Sequence, residues 1–249
     1  MNCELQPANS GFALQVERNY TQLIASAKSD AASGDLLLGG KLLFAGELNN
    51  QSRALIVAAN IAGAASLAAS RDSAAQRKAI HEGIIDFSVN SLDEALRILK
   101  NEIRKRQPVA VGVTLPPAHV EREMQERGVV PDLTESAIGR TTDGEEHEGA
   151  LLEWSAASGG PLWLPRLDTL AASCLEPEEN ASRLWLQLAP RYLGRLAQGV
   201  RLVRCREKSA SRFLEELRLR TESGEIAVEI DVKQEAGGQV SLHRFLPPN

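Results

Sequence analysis

A chain of 249 residues, 43% of them hydrophobic, has material for one large packed domain or two small ones and is not a disordered tail. A formal net charge of −5 speaks against a dedicated nucleic-acid binder, which would carry a basic surplus. Three cysteines without a Cys-x-x-Cys pair give neither a zinc knuckle nor a redox dithiol, and they fit a reducing cytoplasm.

Met1 to Gly11 reads as a polar, mobile segment without the basic-then-apolar order of a signal peptide. No apolar run is long enough to span a bilayer. The spacing of Tyr20, Leu23, Ile24 and Ala27 predicts a helix over 17–32, stopped by Gly34. Strands and helices then alternate. The first strand is Lys41 to Ala45, followed by an apolar helix from Arg53 to Ala65 that Ser52 or Asn50 can cap; so little polar surface implies burial against a sheet.

A short strand over Ala65 to Ala69, a helix over Ser73 to Glu82 ended by Gly83, and a strand over Ile84 to Val89 come next. Ser91 and Glu94 form a capping-box pattern for a helix over Leu92 to Lys105. The strand Val109 to Thr114, the helix Ala118 to Arg127 and a short strand over Val130 to Leu133 complete the series. Such alternation predicts a parallel sheet with right-handed crossovers and helices on both faces. A sheet of this kind takes ligands beyond the carboxyl ends of its strands.

The pattern changes at Gly139 to Gly149, a charged, glycine-punctuated linker. Beyond it lie Trp154, Trp163 and Trp185, which with Tyr192 read as a second core. A helix over Asn180 to Gln198 bent at Pro190 and a strand over Val200 to Arg204 are predicted. An antiparallel meander over Leu217 to Thr221, Glu225 to Lys233 and Gly238 to Phe245 follows, turning at 222–224 and 235–238. The expected fold is α/β: a Rossmann-like parallel sheet plus a smaller α+β C-terminal region. Its divisions are an N-terminal segment and helix over 1–35, a Rossmann-like domain over 36–148 and an α+β domain over 149–249.

Gly39-Gly40-Lys41-Leu42, Ala62-Gly63, Glu82-Gly83 before Ile84-Ile85-Asp86, Leu92 to Leu96, and Arg127-Gly128 with Pro131-Asp132-Leu133 recur in an order and spacing that resembles the NAD-binding domain of urocanase (urocanate hydratase) over roughly 36–140. The resemblance implies a Rossmann-like domain and, in the family, a tightly bound NAD acting as an electrophile. It also implies a homodimer. Against the family pattern, the glycine-rich turn after the first strand is replaced by Glu47-Leu48-Asn49-Asn50-Gln51-Ser52-Arg53. Bare glycine backbone is what lets a pyrophosphate approach, and Glu47 would repel it. Ser70 stands where the family has an acidic residue for the ribose, followed by Arg71 and Asp72. Pro116-Pro117 replaces an Asn-Ala pair and removes two backbone donors. Thr134 to Ile138 lacks the family's histidine, and the family's catalytic cysteine segment has no counterpart.

The candidate binding residues are therefore Gly46, Asn49, Asn50, Ser52 and Arg53 at a helix N-terminus suited to an anion, with Ser70 and Arg71 at the next strand end. Arg53 could clamp an anionic ligand and Arg71 could read a ribose 2′-phosphate. No catalytic residue is assigned and no metal is expected: His81 suits a helix C-terminus, His119 opens a surface helix, His147 sits in an acidic loop, His243 falls in the last strand, and Cys174 reads as a buried inert thiol. Two functions stand side by side. One is a divergent urocanase-like module without hydratase activity, binding a small anionic metabolite or serving assembly. The other is a urocanase-like lyase, or another nucleotide-dependent enzyme, that holds NAD in an altered way.

Overall fold

Residues 7–26, 37–135, 149–194 and 201–248 are described by a computed structural model. The chain divides into two compact units, one of Gln15–Asp143 and one of Met1–Leu14 with Gly144–Asn249. The predicted linker with His147 and the end of the helix predicted over 180–198 lie largely outside the described residues.

The division falls inside the first helix, α1 (Pro7–Ser26). This helix begins well before the predicted start and takes in Pro7 to Gly11. Pro7 opens the helix, where proline's missing N–H costs nothing, and Ala13, Val16, Tyr20 and Leu23 supply a buried stripe.

The first unit then alternates strictly: β1 (Leu42–Glu47), α2 (Asn50–Ala62), β2 (Ala65–Ala69), α3 (Ser73–His81), β3 (Phe87–Val89), α4 (Leu92–Arg104), β4 (Ala110–Val113), α5 (Pro117–Glu126) and β5 (Leu133–Thr134). All pairings are parallel and the strand order is β3-β4-β2-β1-β5. With right-handed crossovers, α2 and α3 lie on one face while α4 and α5 return across the other. The direction of winding reverses between β2 and β4. The α4–α5 face is a continuous core of Leu42, Phe44, Leu67, Val111 and Val113 against Leu92, Leu96, Leu99, Val120 and Met124. Helix α2 is buried from Ser52 to Ala62, as its apolar surface implied.

Local chemistry sets the boundaries. The cap of α2 is Asn49, not Ser52 or Asn50. Ser91 caps α4 by accepting from the Glu94 amide at 3.3 Å, while the Glu94 carboxylate accepts from the Asn90 amide at 3.3 Å, one residue before the cap. The third strand is only Phe87–Val89. Ile84 and Ile85 are buried ahead of it, and the Asp86 side chain ties its entrance to β4 by accepting from the Ala110 amide at 2.7 Å.

In the second unit, β6 (Ala150–Ala156), α6 (Gly160–Cys174), α7 (Asn180–Leu193), β7 (Arg201–Cys205), α8 (Glu207–Glu222), β8 (Ile230–Ala236) and β9 (Gln239–Phe245) build an antiparallel sheet of order β7-β6-β8-β9. Leu217 to Thr221 is helix, not strand. Its Leu-Arg-Leu-Arg-Thr run mimics alternation, but Ala210, Phe213, Leu217 and Thr221 form one buried helical stripe, and Leu219 is exposed. The meander is thus the hairpin β8–β9, and β8 pairs on its other side with β6. Trp154 and Trp185 are buried as expected; Trp163 and Tyr192 are only half-buried, with Arg166 over the Trp163 ring at 5.0 Å.

Asp168 of α6 is buried beside Arg201, whose Nε donates to its carboxylate at 3.1 Å. Burial pushes Asp168 up to about 6; Arg201 and, more weakly, the Trp154 indole N–H pull the other way. A folded pKa above the unfolded value means that the folded state holds the extra proton. The resulting stability is full below about pH 4 and lost as pH rises through about 6. At roughly 1.4 kcal/mol per unit, unfolding free energy should fall by about 2–3 kcal/mol between pH 4 and pH 7 from this group. Denaturant unfolding at the two pH values should show that slope in the native protein and not in Asp168→Asn; equal slopes would remove Asp168 as the cause.

Candidate functional site

The carboxyl edge of the parallel sheet brings together the turns after β1, β2, β3 and β4, with Glu135 just past β5. A bulge in β1 between Phe44 and Glu47, at Gly46 with φ +67°, shifts the register of the β1–β2 ladder, which resumes at Glu47–Ala69. The Leu48 amide then donates to the Ala69 carbonyl at 2.9 Å, which holds the β1–α2 turn against the β2–α3 turn. Gly46, Asn49, Asn50, Ser52 and Arg53 therefore share one turn, and Ser70 and Arg71 lie on the adjacent one.

Their side chains are committed in different ways. Asn49 Oδ1 accepts from the Gln51 amide at 2.8 Å and the Ser52 amide at 3.0 Å. In return Ser52 Oγ accepts from the Asn49 amide at 2.9 Å. This reciprocal capping box satisfies first-turn donors of α2 with the chain's own groups. Ser52 and Arg53 are buried. Arg53 is ion-paired with Glu82, at the end of α3, and burial lowers its pKa from the usual arginine value. Asn50 and Arg71 are exposed.

Ser70 is buried within a network that sequence reasoning missed. Its Oγ accepts from the Asp72 amide at 3.2 Å, and Asp72 in turn caps α3 by accepting from the Ala74 amide at 2.8 Å. Buried Gln76 donates from Nε2 to the Ser70 carbonyl at 3.0 Å, while its Oε1 accepts from Ser88 Oγ and, at 3.4 Å, from Thr114 Oγ1. Gln76 thus spans the ends of β2, β4 and β3, at the reversal of winding where an open sheet has its crevice. It fits because Gly112 leaves room: a Cβ there would stand 2.7 Å from Ile85 Cδ1 and 3.4 Å from Gln76 Oε1. The only sequence signal was a glycine inside a predicted strand, which marks a close approach.

Acidic groups frame the edge. Glu47 is exposed at the end of β1, and the Glu135 carboxylate lies so close over Gly46 that a Cβ on that glycine would be 3.4 Å from it. Asp132, before β5, stands at the opposite, amino edge and is structural: it accepts from the Leu42 amide at 2.8 Å and pairs with Lys41 at 3.3 Å, pinning β5 to β1. Pro116 precedes α5 without a side-chain cap bond, and Pro117 fills its first position.

A dinucleotide's diphosphate fits this edge poorly. It would have to displace the Asn49 side chain from the Gln51 and Ser52 amides and lie near two carboxylates. His119 bonds Arg122 and faces Glu123 on α5, and His243 bonds Gln234 across the hairpin. Burial raises the thiol pKa of Cys174 and lifts that of Cys205 to about 12, which leaves both unreactive at neutral pH. Among the described residues, no helix is long and apolar enough to cross a membrane, and no cluster of three or more His, Cys, Asp or Glu could hold a metal ion.

A parallel sheet in this winding, with its glycine turns and capping residues in this order, agrees with the family comparison: residues 16–138 match the model described as the Urocanase Rossmann-like domain, and this part of the chain is a urocanase Rossmann-like domain.

Proposed function

We propose that this domain has given up dinucleotide chemistry and works in the cytoplasm as a binding or assembly module without urocanate hydratase activity. The observation that carries the reading is the reciprocal capping of Asn49 and Ser52, which turns the phosphate-binding end of α2 inward on itself. Glu47 and Glu135 add charge of the wrong sign for a diphosphate. What remains open is small: exposed Asn50 on one turn and exposed Arg71 on the next. That pair suits a single carboxylate or similar small anion, not two linked phosphates.

Ligand-dependent melting tests this directly. A ligand present at a hundred times its dissociation constant stabilises by about 2.7 kcal/mol, which moves a melting temperature by several degrees. The expected result is no shift with NAD or with urocanate, no NAD released from the denatured purified protein, and no consumption of urocanate. NAD retained through purification, or turnover of urocanate, would reverse the proposal in favour of a urocanase-like lyase.

A further inference from the structure

The outer strand of the antiparallel sheet is β9, which among the described residues pairs only with β8 in the order β7-β6-β8-β9. A two-residue turn, Gly237-Gly238 with φ +53° and +72°, joins Ala236 to its partner Gln239. That turn makes Ala236 and Gln239 a hydrogen-bonded pair, and antiparallel ladders alternate such pairs with open ones. Ser241, His243 and Phe245 therefore turn their main-chain groups toward β8. Val240, Leu242 and Arg244 turn theirs to the open edge.

The same alternate residues present apolar side chains to water: Val240 is 57% exposed and Leu242 80%, with Leu246 beyond them at 61%. Edge strands are ordinarily blunted by bulges, lysines, prolines or shortness. The β8–β9 register is unbroken from Ile230–Phe245 to Ala236–Gln239, and β9 contains neither lysine nor proline. Its one cation, Arg244, is paired within the chain to Asp231 at 2.8 Å and Glu229 at 3.2 Å.

We propose that β9 is a pairing edge whose partner is β9 of a second copy of this chain, antiparallel about a two-fold axis at Leu242. Self-complementarity singles out the second copy. In this register Leu242 meets its own equivalent, and Val240 and Arg244 meet each other twice. Every residue with outward main-chain groups then exchanges both hydrogen bonds with another such residue. A shift by two residues in either direction leaves one of the three without such a partner in the strand. The charges also match. Arg244 of the second copy comes to lie beside Val240, in line with Glu235, which β8 places opposite Val240 on the same face. Pro247 and Pro248 stop the ladder just past the strand. The two four-stranded sheets become one continuous sheet. None of this depends on what the parallel-sheet unit binds.

The test is the mass of the full chain in solution, by sedimentation velocity over a wide concentration range, with circular dichroism as the fold control. The native protein should dimerise. Leu242→Lys sets two like charges face to face and should weaken dimerisation at least about tenfold without changing the spectrum. Leu242→Pro removes an outward N–H that the monomer does not use and should act in the same way. Amide exchange at Val240, Leu242 and Arg244 should slow with concentration in the native protein and not in Leu242→Lys. A native monomer at every concentration would overturn the proposal, as would a dimer that survives a correctly folded Leu242→Lys.

Discussion

Replacing Trp154 by alanine is expected to destabilise the antiparallel unit by about 3–5 kcal/mol, the usual range for removing a fully buried large aromatic side chain. Trp154 is 1% exposed and sits on β6, where Arg201 and Val232 flank it across the two ladders. Its ring meets Phe213 of α8 at a centroid distance of 5.2 Å and 43°, a tilted contact that adds to the area it buries. The cavity would open between the sheet and α8, where the backbone of a central strand cannot collapse to fill it. A domain's whole stability is of order 5–15 kcal/mol, so the variant should be partly unfolded near body temperature. Urea unfolding followed by far-ultraviolet dichroism measures the effect; a loss under about 1 kcal/mol would mean that the ring is not the keystone of this core. Trp154→Phe keeps most of the volume and should cost far less.

The alternating unit was legible because its signals are local and redundant. Each helix of the series has a stop or cap that names its end: Gly63, Gly83 and Gly128 take positive φ just where the chain must turn back. The antiparallel unit was harder, and the reason lies in particular residues. In α6, Pro161 and Pro165 fall inside a helix whose buried Leu164, Leu167, Leu170, Ala171 and Cys174 keep helical spacing; proline in the run masked the period. In α8 the opposite occurred, since Leu217, Leu219 and Thr221 imitate a strand over five residues while the period over sixteen is helical. Strand β6 is central, with partners on both sides from more than forty residues along the chain. Nothing local announces such pairing.

At the candidate site, the residues near the helix N-terminus could be named in advance, but not what they do. Asn49 and Ser52 carry both a ligand-binding and a self-capping chemistry, and only the Oδ1 and Oγ positions separate the two. Arg53 could have faced an anion; its pairing with Glu82 comes from the packing of α2 near the end of α3, at a sequence distance no pattern reads. Gln76 was invisible for the same reason. A glutamine in an amphipathic helix looks solvated until the glycine beneath it, Gly112, is known to be its neighbour.

Glu179 should prove the most sensitive acidic side chain of the antiparallel unit, with Glu179→Ala costing about 3 kcal/mol. It is 8% exposed, and its carboxylate takes three donors from two separated segments. Oε1 accepts from the Arg206 amide at 2.6 Å, and Oε2 from the Glu176 amide at 2.8 Å and from the buried Ser209 hydroxyl. Arg206 is the N-cap of α8 and offers no capping bond of its own, so Glu179 serves as the cap in its place, and as an anion it also answers the dipole of α8. Alanine would strand the Arg206 amide and the Ser209 hydroxyl as a donor, and would leave the Glu176 amide only its 3.3 Å bond to Ser209 Oγ. Glu179→Gln keeps an acceptor but forfeits the charge, and should lose about half as much. Because α8 also carries Phe213 against Trp154, loosening its first turn loosens the aromatic contact. The two losses should then not add: in a double-mutant cycle, Glu179→Ala with Trp154→Ala should cost at least about 0.5 kcal/mol less than the sum of the singles. Strict additivity would show that the cap and the aromatic core hold the helix independently.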